Sequence, residues 1–589
     1  MALEDRGRDA LLVVAIDFGT SYSGYAYQFY HEYQRDPVKI SSPQAWNSGK
    51  KNLISLKTPT CLLLNEKKEL HECAFGYAAE DTYASLCLSK ENDKYYFFRR
   101  FKMKLQDGKS LTKSSIIEDE TGKTMLTLEV FALSIKCLII HLMNMLEKEG
   151  TGVKKDDIFF VLTVPAIWSD AAKMFMREAA QNAGIRAEKL EIALEPEVAS
   201  LFCQYVPASS MRCKEDQVHF ASTPPGTKYM VADLGGGTAD ITVHEKQRGG
   251  GLKEVCRASG GPWGGIAVDN AFLQTLIRIV GINVVTRWKN EETYDYLDLC
   301  REFEAAKRCF GRQNRNKMII RLPATLNDLC QKILKGDLQT HLAKSGYWKD
   351  ITIKADKMMI EPKLVEELFR EVTNHIIHHI QGILKQNHGS DISHILMVGG
   401  FSESPFVQDV IMEAFHGKNG RKVIFPTDAD IIIAKGAVLF GRMPYSVDTR
   451  VLRFTYGVNR NPIFVEGVHP EDKKLVTDRG TRCKDVFDIL VSADSEVKTD
   501  FSIKRTYCTA FDFQEWATVE LYYTNDKNPK YTTDSGCKYL GKLDVKIPKP
   551  SKGKRWVDVT FQFGMTELRL QATERSSNIP CIVSFKFIE

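Results

Sequence analysis

The chain has 589 residues, 43% hydrophobic and 26% charged, with a formal net charge of +5, so two or three globular domains are expected and, with no long basic block, nucleic-acid binding has no support. Its 14 cysteines form no CxxC pair and no zinc-knuckle or disulfide spacing, which points to free thiols in a reducing compartment, the cytoplasm, with the nucleus as a further location. No segment reads as a membrane span, the most apolar stretch, Leu133–Leu146, being broken by Lys136 and His141.

Met1–Ala10 is charged and is predicted to be disordered, and Leu11–Ile16 is too short for a signal-peptide core. Three compact apolar runs then organise the first 440 or so residues: Leu11–Ile16, Tyr229–Ala232 and Ile395–Val398. The first ends in Asp17-Phe18-Gly19-Thr20-Ser21, the second in Asp233-Leu234-Gly235-Gly236-Gly237-Thr238, the third in Gly399-Gly400-Phe401-Ser402. Strand-like sequence follows the first two turns, so both are predicted as β-hairpin tips. A Walker loop would lead into a helix and carry Gly-Lys-Ser or Gly-Lys-Thr, and neither is present. The third turn leads into a predicted helix, Pro405–Phe415. Helices are also predicted at Val130–Leu146, Asp170–Ala183 and Leu364–Leu384 from three- and four-residue apolar spacing, and Cys203–Thr227 reads as a loop. Beyond Gly441 the pattern changes to alternating strands with turn signals, among them Thr518–Tyr523, Val557–Phe563 and Leu568–Ala572, and predicts a β-sandwich.

Glycine-rich tips let backbone N–H groups approach a phosphate closely. Two such tips, roughly 215 residues apart, could grip a triphosphate from opposite sides. Asp17 and Asp233 end their strands where they could hold the waters of a magnesium ion, and Thr20, Ser21 and Thr238 offer hydroxyls. One tip alone is an ordinary tight turn; the pair, with a third Gly-Gly strand end, is specific.

In this order the motifs resemble the heat shock 70 kDa protein family, a chaperone branch of the actin-like ATPases. The resemblance runs over nearly the whole chain and is nearest to the family's divergent member-12 branch, through Ala15–Thr20, Phe101–Leu105 and Lys435–Gly441. It implies an α/β, two-lobed, actin-like nucleotide-binding domain over 11–445 and a C-terminal β-sandwich over 446–589 that binds client polypeptides or signalling proteins. It also implies ATP or ADP with magnesium as ligands, and a role in the stress response. By the same resemblance Asp17, Lys102, Glu195, Asp233 and Thr238 are catalytic, Arg100 and Lys104 being rivals of Lys102 for the place beside the γ-phosphate. Asp17 and Asp233 hold magnesium through water. Gly19, Thr20, Ser21, Tyr22, Gly235, Gly236, Gly237, Gly264 and Gly265 surround the phosphates. Glu304, Lys307, Arg308, Gly399, Gly400, Phe401, Glu403 and Asp430 surround the nucleoside.

Several positions depart from the family. Glu403 stands in place of an adenine-stacking arginine, Gly311 in place of a hydroxyl donor, and Ile266-Ala267 in place of two carboxylates. Lys173 replaces an interlobe arginine, keeping the charge without the planar fork. Glu191 replaces an arginine that docks the J-domain co-chaperone, so that partner is not expected. No acidic-flanked apolar linker appears near Tyr445–Leu452, and no helical lid follows the last strands. Trp516 and Trp556 are expected in the sandwich core, and His375 and His379 on a solvated helix face rather than on zinc. Four functions follow: a slowly hydrolysing ATP-dependent client binder, a nucleotide-sensing adaptor with little hydrolysis, a sugar-kinase-like enzyme, and a filament subunit. A sugar kinase would leave the sandwich unexplained. A filament would scatter light with ATP and concentration.

Overall fold

In the computed structural model of the chain, the described residues are 7–586 without 8, 44–45, 48–53, 107–111, 214–219, 314–315, 387–388, 444–445, 478–479, 510–511, 576–577 and 582. Of the expected disordered segment 1–10, residues 1–6 and 8 therefore lie outside the description. The carbonyl of Ala10 accepts from the Arg442 guanidinium at 2.6 Å.

The same strand arrangement occurs twice. Leu12–Phe18 pairs antiparallel with Tyr22–Phe29 and parallel with Ile158–Val164, which pairs parallel with Leu190–Leu194. Lys228–Leu234 pairs antiparallel with Ala239–Lys246 and parallel with Ile392–Val398, which pairs parallel with Lys422–Pro426. The first set belongs to a five-stranded sheet and the second to an eight-stranded one.

Both central strands are buried on both faces, which is why they read as continuous apolar runs. Leu12, Val14 and Ile16 face the helices Thr127–Lys148 and Asp170–Asn182. Val13 and Ala15, one residue out of phase, face a core shared by the two sheets. That core is filled by the helices Glu195–Cys203 and Ile432–Arg442. They cross so closely that a Cβ on Gly436 would lie 1.9 Å from the Val198 carbonyl oxygen. Ser169 caps Asp170–Asn182 by accepting from the Ala172 N–H, and Pro196 starts Glu195–Cys203, where its missing N–H costs nothing.

One sequence expectation needs correction. By length and composition alone, Thr127–Lys148 is long and apolar enough to cross a membrane, because Lys136 and His141 do not offset its leucines and isoleucines. In the fold its apolar face packs on the first sheet, and His141 Nδ1 lies 2.8 Å from the Tyr25 hydroxyl.

After the helix Ile432–Arg442, Val447–Val451 pairs with the strand Leu252–Gly261 and with Glu496–Lys498, so it extends the eight-stranded sheet. A five-stranded and a four-stranded sheet follow, and their inner residues share one buried cluster around Leu521, Leu543 and Phe561. Trp516 and Trp556 do not belong to it. They are 42% and 45% exposed, because strand alternation puts Ala517 and Val557 inward and their neighbours outward. His375 and His379 pack on Trp263, with ring centroids 5.6 and 5.2 Å away.

Candidate functional site

Asp17 and Asp233 each end a central strand, and the hairpin tips that follow them meet face to face. A Cβ on Gly236 would lie 2.2 Å from Ser21 Oγ, and one on Gly237 would lie 2.8 Å from Thr20 Oγ1. Only glycine allows the second tip to lie this close to the first. Gly264 backs the second tip, its would-be Cβ 2.5 Å from the Gly236 carbonyl oxygen. Gly264 is the only predicted site residue that supports the cleft from behind; the others line a cavity of about 250 Å³ between the sheets. Ser55, Lys57, Ser404 and Ile433 line it too, and sequence reasoning missed them.

The two aspartates differ in their partners. Asp17 accepts from Lys57 Nζ at 2.6 Å and from Thr163 Oγ1 at 3.0 Å. Among the described residues Asp233 Oδ1 has no hydrogen-bond partner, and Asp240 Oδ2 has none. Gly399, at φ +82°, makes room for the bare carboxylate: a Cβ there would be 2.2 Å from Asp233 Oδ1.

Lys102 is the lysine of the cleft. Its ammonium is buried, 3.0 Å from Glu195 Oε1 and 5.0 Å from the centre of the Trp168 ring. Arg100 turns instead to Asp269 at 2.7 Å, and Lys104 is exposed.

Burial pushes the Glu195 carboxyl up to about 7; Lys102 opposes this, and Asp17 and Asp240 add to it. Burial, then Glu195, Asp240 and Asp17, hold Asp233 well above the usual carboxylate range. Burial pulls the Lys57 ammonium down, but Asp17, Asp430 and Glu195 outweigh it and hold it above its ordinary value. A buried carboxylate with an unpaired oxygen is costly unless a cation or water meets it. The residues at Asp233 therefore fit a magnesium ion. Among the described residues no three His, Cys, Asp or Glu side chains converge on one point, so such an ion would complete its shell with water and phosphate oxygens.

At the other end of the cleft the Arg308 guanidinium lies 4.4 Å from the centre of the Tyr22 ring and donates to Glu304 at 3.0 Å. Lys307 is tied to Asp269 at 2.6 Å and to the Gly265 carbonyl at 3.1 Å. It braces the wall and has little left for a ligand. Glu403 accepts from the Asp430 N–H at 3.2 Å, and Ser404 Oγ is buried without a partner. Gly311 leaves room for Pro405, 2.8 Å from a would-be Cβ.

Arginine–carboxylate pairs tie later parts of the chain to the first lobe, one of them from the strand Val447–Val451 and two from the C-terminal region. Arg450 holds Glu197 at 2.9 and 2.8 Å, Arg569 holds Glu191 at 2.6 and 2.7 Å, and Arg177 holds Glu567. Glu191 is thus matched by an arginine of the same chain. Lys173 donates to the Thr566 carbonyl at 3.4 Å and lies 3.8 Å from Asp170 Oδ1. Glu195 and Glu197 stand two residues apart, one in the cleft and the other on the C-terminal region.

Comparison with known proteins agrees with this geometry. Residues 91–565 match the family model described as Hsp70 protein. The chain is 34% identical to human heat shock 70 kDa protein 12B, over 98% of this chain and 91% of that one. It is 33% identical to mouse heat shock 70 kDa protein 12A, over 98% and 92%. A mitochondrial heat shock 70 kDa protein of Solanum tuberosum is 29% identical over 48% of this chain and 34% of that one. By this extent of similarity the chain belongs to the Hsp70 family.

Proposed function

We propose that the protein binds ATP and ADP in the cleft between its two sheets, hydrolyses ATP slowly, and binds client polypeptides through a C-terminal β-sandwich. The division is an actin-like nucleotide domain over 11–445 and the sandwich over 446–589, except that Val447–Val451 and Glu496–Lys498, beyond that boundary, complete the eight-stranded sheet. The observation that carries this reading is the meeting of two glycine-rich hairpin tips around a cavity that holds two lysines and three carboxylates at one end.

Magnesium supplies charge neutralisation and orders the phosphates when bound. The chain's own residues do the rest. Backbone N–H groups of both tips bind phosphate, and Thr20, Ser21 and Thr238 add hydroxyls. Lys102 offsets phosphate charge at the buried end. Glu195, ionised in part near neutral pH, accepts the proton of an attacking water. Arg308 and Tyr22 form a flat platform for the nucleoside, with Glu403, Asp430 and Ser404 at its edge. Much of the rate comes from positioning and electrostatics. The arginine pairs from Glu191 and Glu197 link the cleft to the sandwich. The cytoplasm is the proposed compartment, and signalling proteins remain within the class of partners.

Single-turnover hydrolysis of ATP with magnesium, run beside equilibrium binding of ATP and ADP, tests the reading. Binding with turnover that Asp233→Ala abolishes supports it. Binding of neither nucleotide defeats it. One observation favours a second reading, a nucleotide-sensing adaptor: Lys57 already neutralises one of the two aspartates that would serve the metal. Tight binding with no turnover above background would establish that reading.

A further inference from the structure

A second cavity, of about 80 Å³, lies where four pieces of the chain meet. They are the start of the helix Asp170–Asn182, the strand Leu252–Gly261, residues 450–456, and the turn between the strands Trp556–Gln562 and Arg569–Glu574. Gly564 seats that turn: a Cβ there would lie 1.8 Å from the Lys498 carbonyl oxygen, so only glycine lets the chain come this close. The cavity shares a wall with the cleft. Trp168 lines it, and the centre of the Trp168 ring lies 5.0 Å from Lys102 Nζ of the cleft. Leu194 lines it too, next in the chain to Glu195 of the cleft.

Most of the charged groups around this cavity are matched within the chain. Arg450 holds Glu197 and also donates to the Gly564 carbonyl at 2.6 Å. Glu567 is held by Arg177, the Tyr456 hydroxyl donates to Asp170, and Arg453 donates to the Ile167 carbonyl. Three groups have donors to spare. The Lys173 side chain is 12% exposed, yet among the described residues its ammonium has only the Thr566 carbonyl at 3.4 Å and Asp170 Oδ1 at 3.8 Å. The Thr566 hydroxyl is buried and has no partner among the described residues. Glu254 is buried and accepts from the Val451 N–H at 2.8 Å. Burial, then Glu197, push its carboxyl up to about 8 against the pull of Arg450 and Lys173, so near neutral pH it keeps a proton to donate.

We propose that this second cavity binds a small carboxylate with an apolar body, whose charge meets Lys173 and Thr566 and whose chain packs on Trp168 and Phe563. A nearly buried ammonium without a close acceptor, and a buried hydroxyl without any, are costly until an acceptor reaches them. Spare donors select an acceptor, and the lysine among them selects an anion. The remaining wall is apolar, with Trp168, Phe454, Phe563 and Leu568, and selects an organic body over an inorganic ion. The volume holds about five to eight water-sized groups, far fewer than the 250 Å³ of the cleft. A ligand seated here leans on Trp168, the ring that also walls Lys102.

Saturation-transfer NMR of 3-methylbutanoate with the full chain, in the absence of nucleotide, tests this. The carboxylate should bind with a Kd of about 1 mM or tighter. Its affinity should exceed that of 3-methylbutanamide, 3-methylbutylamine and acetate by about tenfold or more. Lys173→Met keeps the stem and removes the charge. It should weaken carboxylate binding by about tenfold or more and leave binding of the amide as in wild type, which also shows that the cavity is intact. Thr566→Val should cost about threefold or more. Magnesium ADP should not displace the ligand, and because binding needs no nucleotide, the outcome is separate from that of the proposed ATPase activity. Equal binding of the carboxylate and the amide overturns the proposal. So does wild-type carboxylate binding by Lys173→Met, displacement by ADP, or no saturation transfer at about 10 mM ligand.

Discussion

The two hairpin tips are built alike and are poised differently. Asp17 and Asp233 occupy matching places, each at the end of a central parallel strand, each followed two residues on by glycine. Yet Asp17 is held by Lys57 at 2.6 Å and by Thr163, whereas Asp233 Oδ1 has no partner among the described residues. The first tip carries its own cation and is complete in the folded chain. The second keeps a buried carboxyl that its surroundings push toward the protonated form, with one oxygen open to an incoming cation or water. Duplication of a motif therefore does not duplicate its role. The first aspartate is tied into the fold by two side chains, and the second leaves an oxygen open to the cleft.

Breaking the pair at the first tip should have the largest effect. Lys57→Met strands a buried Asp17 charge and should cost about 3–5 kcal/mol of stability. Adding Asp17→Asn removes the stranded charge and should recover much of the loss. Denaturant unfolding of the single and double variants measures this. If Lys57→Met is as stable as wild type, Asp17 does not depend on Lys57 and the contrast between the tips fails.

At the second tip the same kind of change should do the opposite. Asp233→Asn replaces a carboxyl whose ionised form burial, Glu195, Asp240 and Asp17 all disfavour, so thermal stability should hold or rise by about 1 kcal/mol. Single-turnover hydrolysis should meanwhile fall by about 10²–10³-fold, the scale seen when one charge-stabilising group is removed. A marked loss of stability would show that Asp233 is structurally paired after all.

Matching glycines sharpen the comparison at smaller scale. A Cβ on Gly19 would lie 2.1 Å from the Tyr22 carbonyl oxygen, whereas on Gly235 its nearest contact is the Thr238 carbonyl at 3.5 Å. Gly19→Ala must shift backbone and should cost about 1–3 kcal/mol, against less than about 0.5 kcal/mol for Gly235→Ala. Equal thermal midpoints in the two variants would mean that the first tip is no tighter than the second.

The tips themselves were legible in the sequence because three local signals coincide there: a continuous apolar run, an aspartate, and glycines. A strand buried on both faces leaves that trace in any single chain. Lys57 left none, because its meaning comes from a partner 40 positions away, and an isolated lysine in the bend between two short strands looks like any surface lysine. The choice among Arg100, Lys102 and Lys104 needed the cleft, since a one-turn segment points neighbouring side chains in different directions. Trp516 and Trp556 were misjudged because size was weighed above phase. Val557, Val559 and Phe561 point inward, and strand parity then turns Trp556 outward. The pairs Glu197–Arg450 and Glu191–Arg569 join residues 253 and 378 positions apart, beyond any local pattern.

Glu195 lies between the tips, and its titration reports on both. Burial raises its carboxyl to about 7; Lys102 opposes the shift, and Asp17 from the first tip and Asp240 from the second reinforce it. Only the ionised form can accept a proton from water. Hydrolysis should therefore rise about tenfold per pH unit below about 7 and level off above it. Stability should move the other way. The folded chain holds this proton more tightly than the unfolded chain does, so the contribution of Glu195 is most favourable at acid pH and is lost as pH climbs from the ordinary glutamate range through about 7. Glu195→Gln should flatten the hydrolysis limb at a low rate. Asp240→Asn withdraws one neighbouring negative charge without touching the Lys57 pair, so it should move the limb to lower pH while leaving its slope intact. A limb that stays in place in Asp240→Asn and persists in Glu195→Gln would assign the proton to another group, and would leave the bare Asp233 as the carboxylate that titrates.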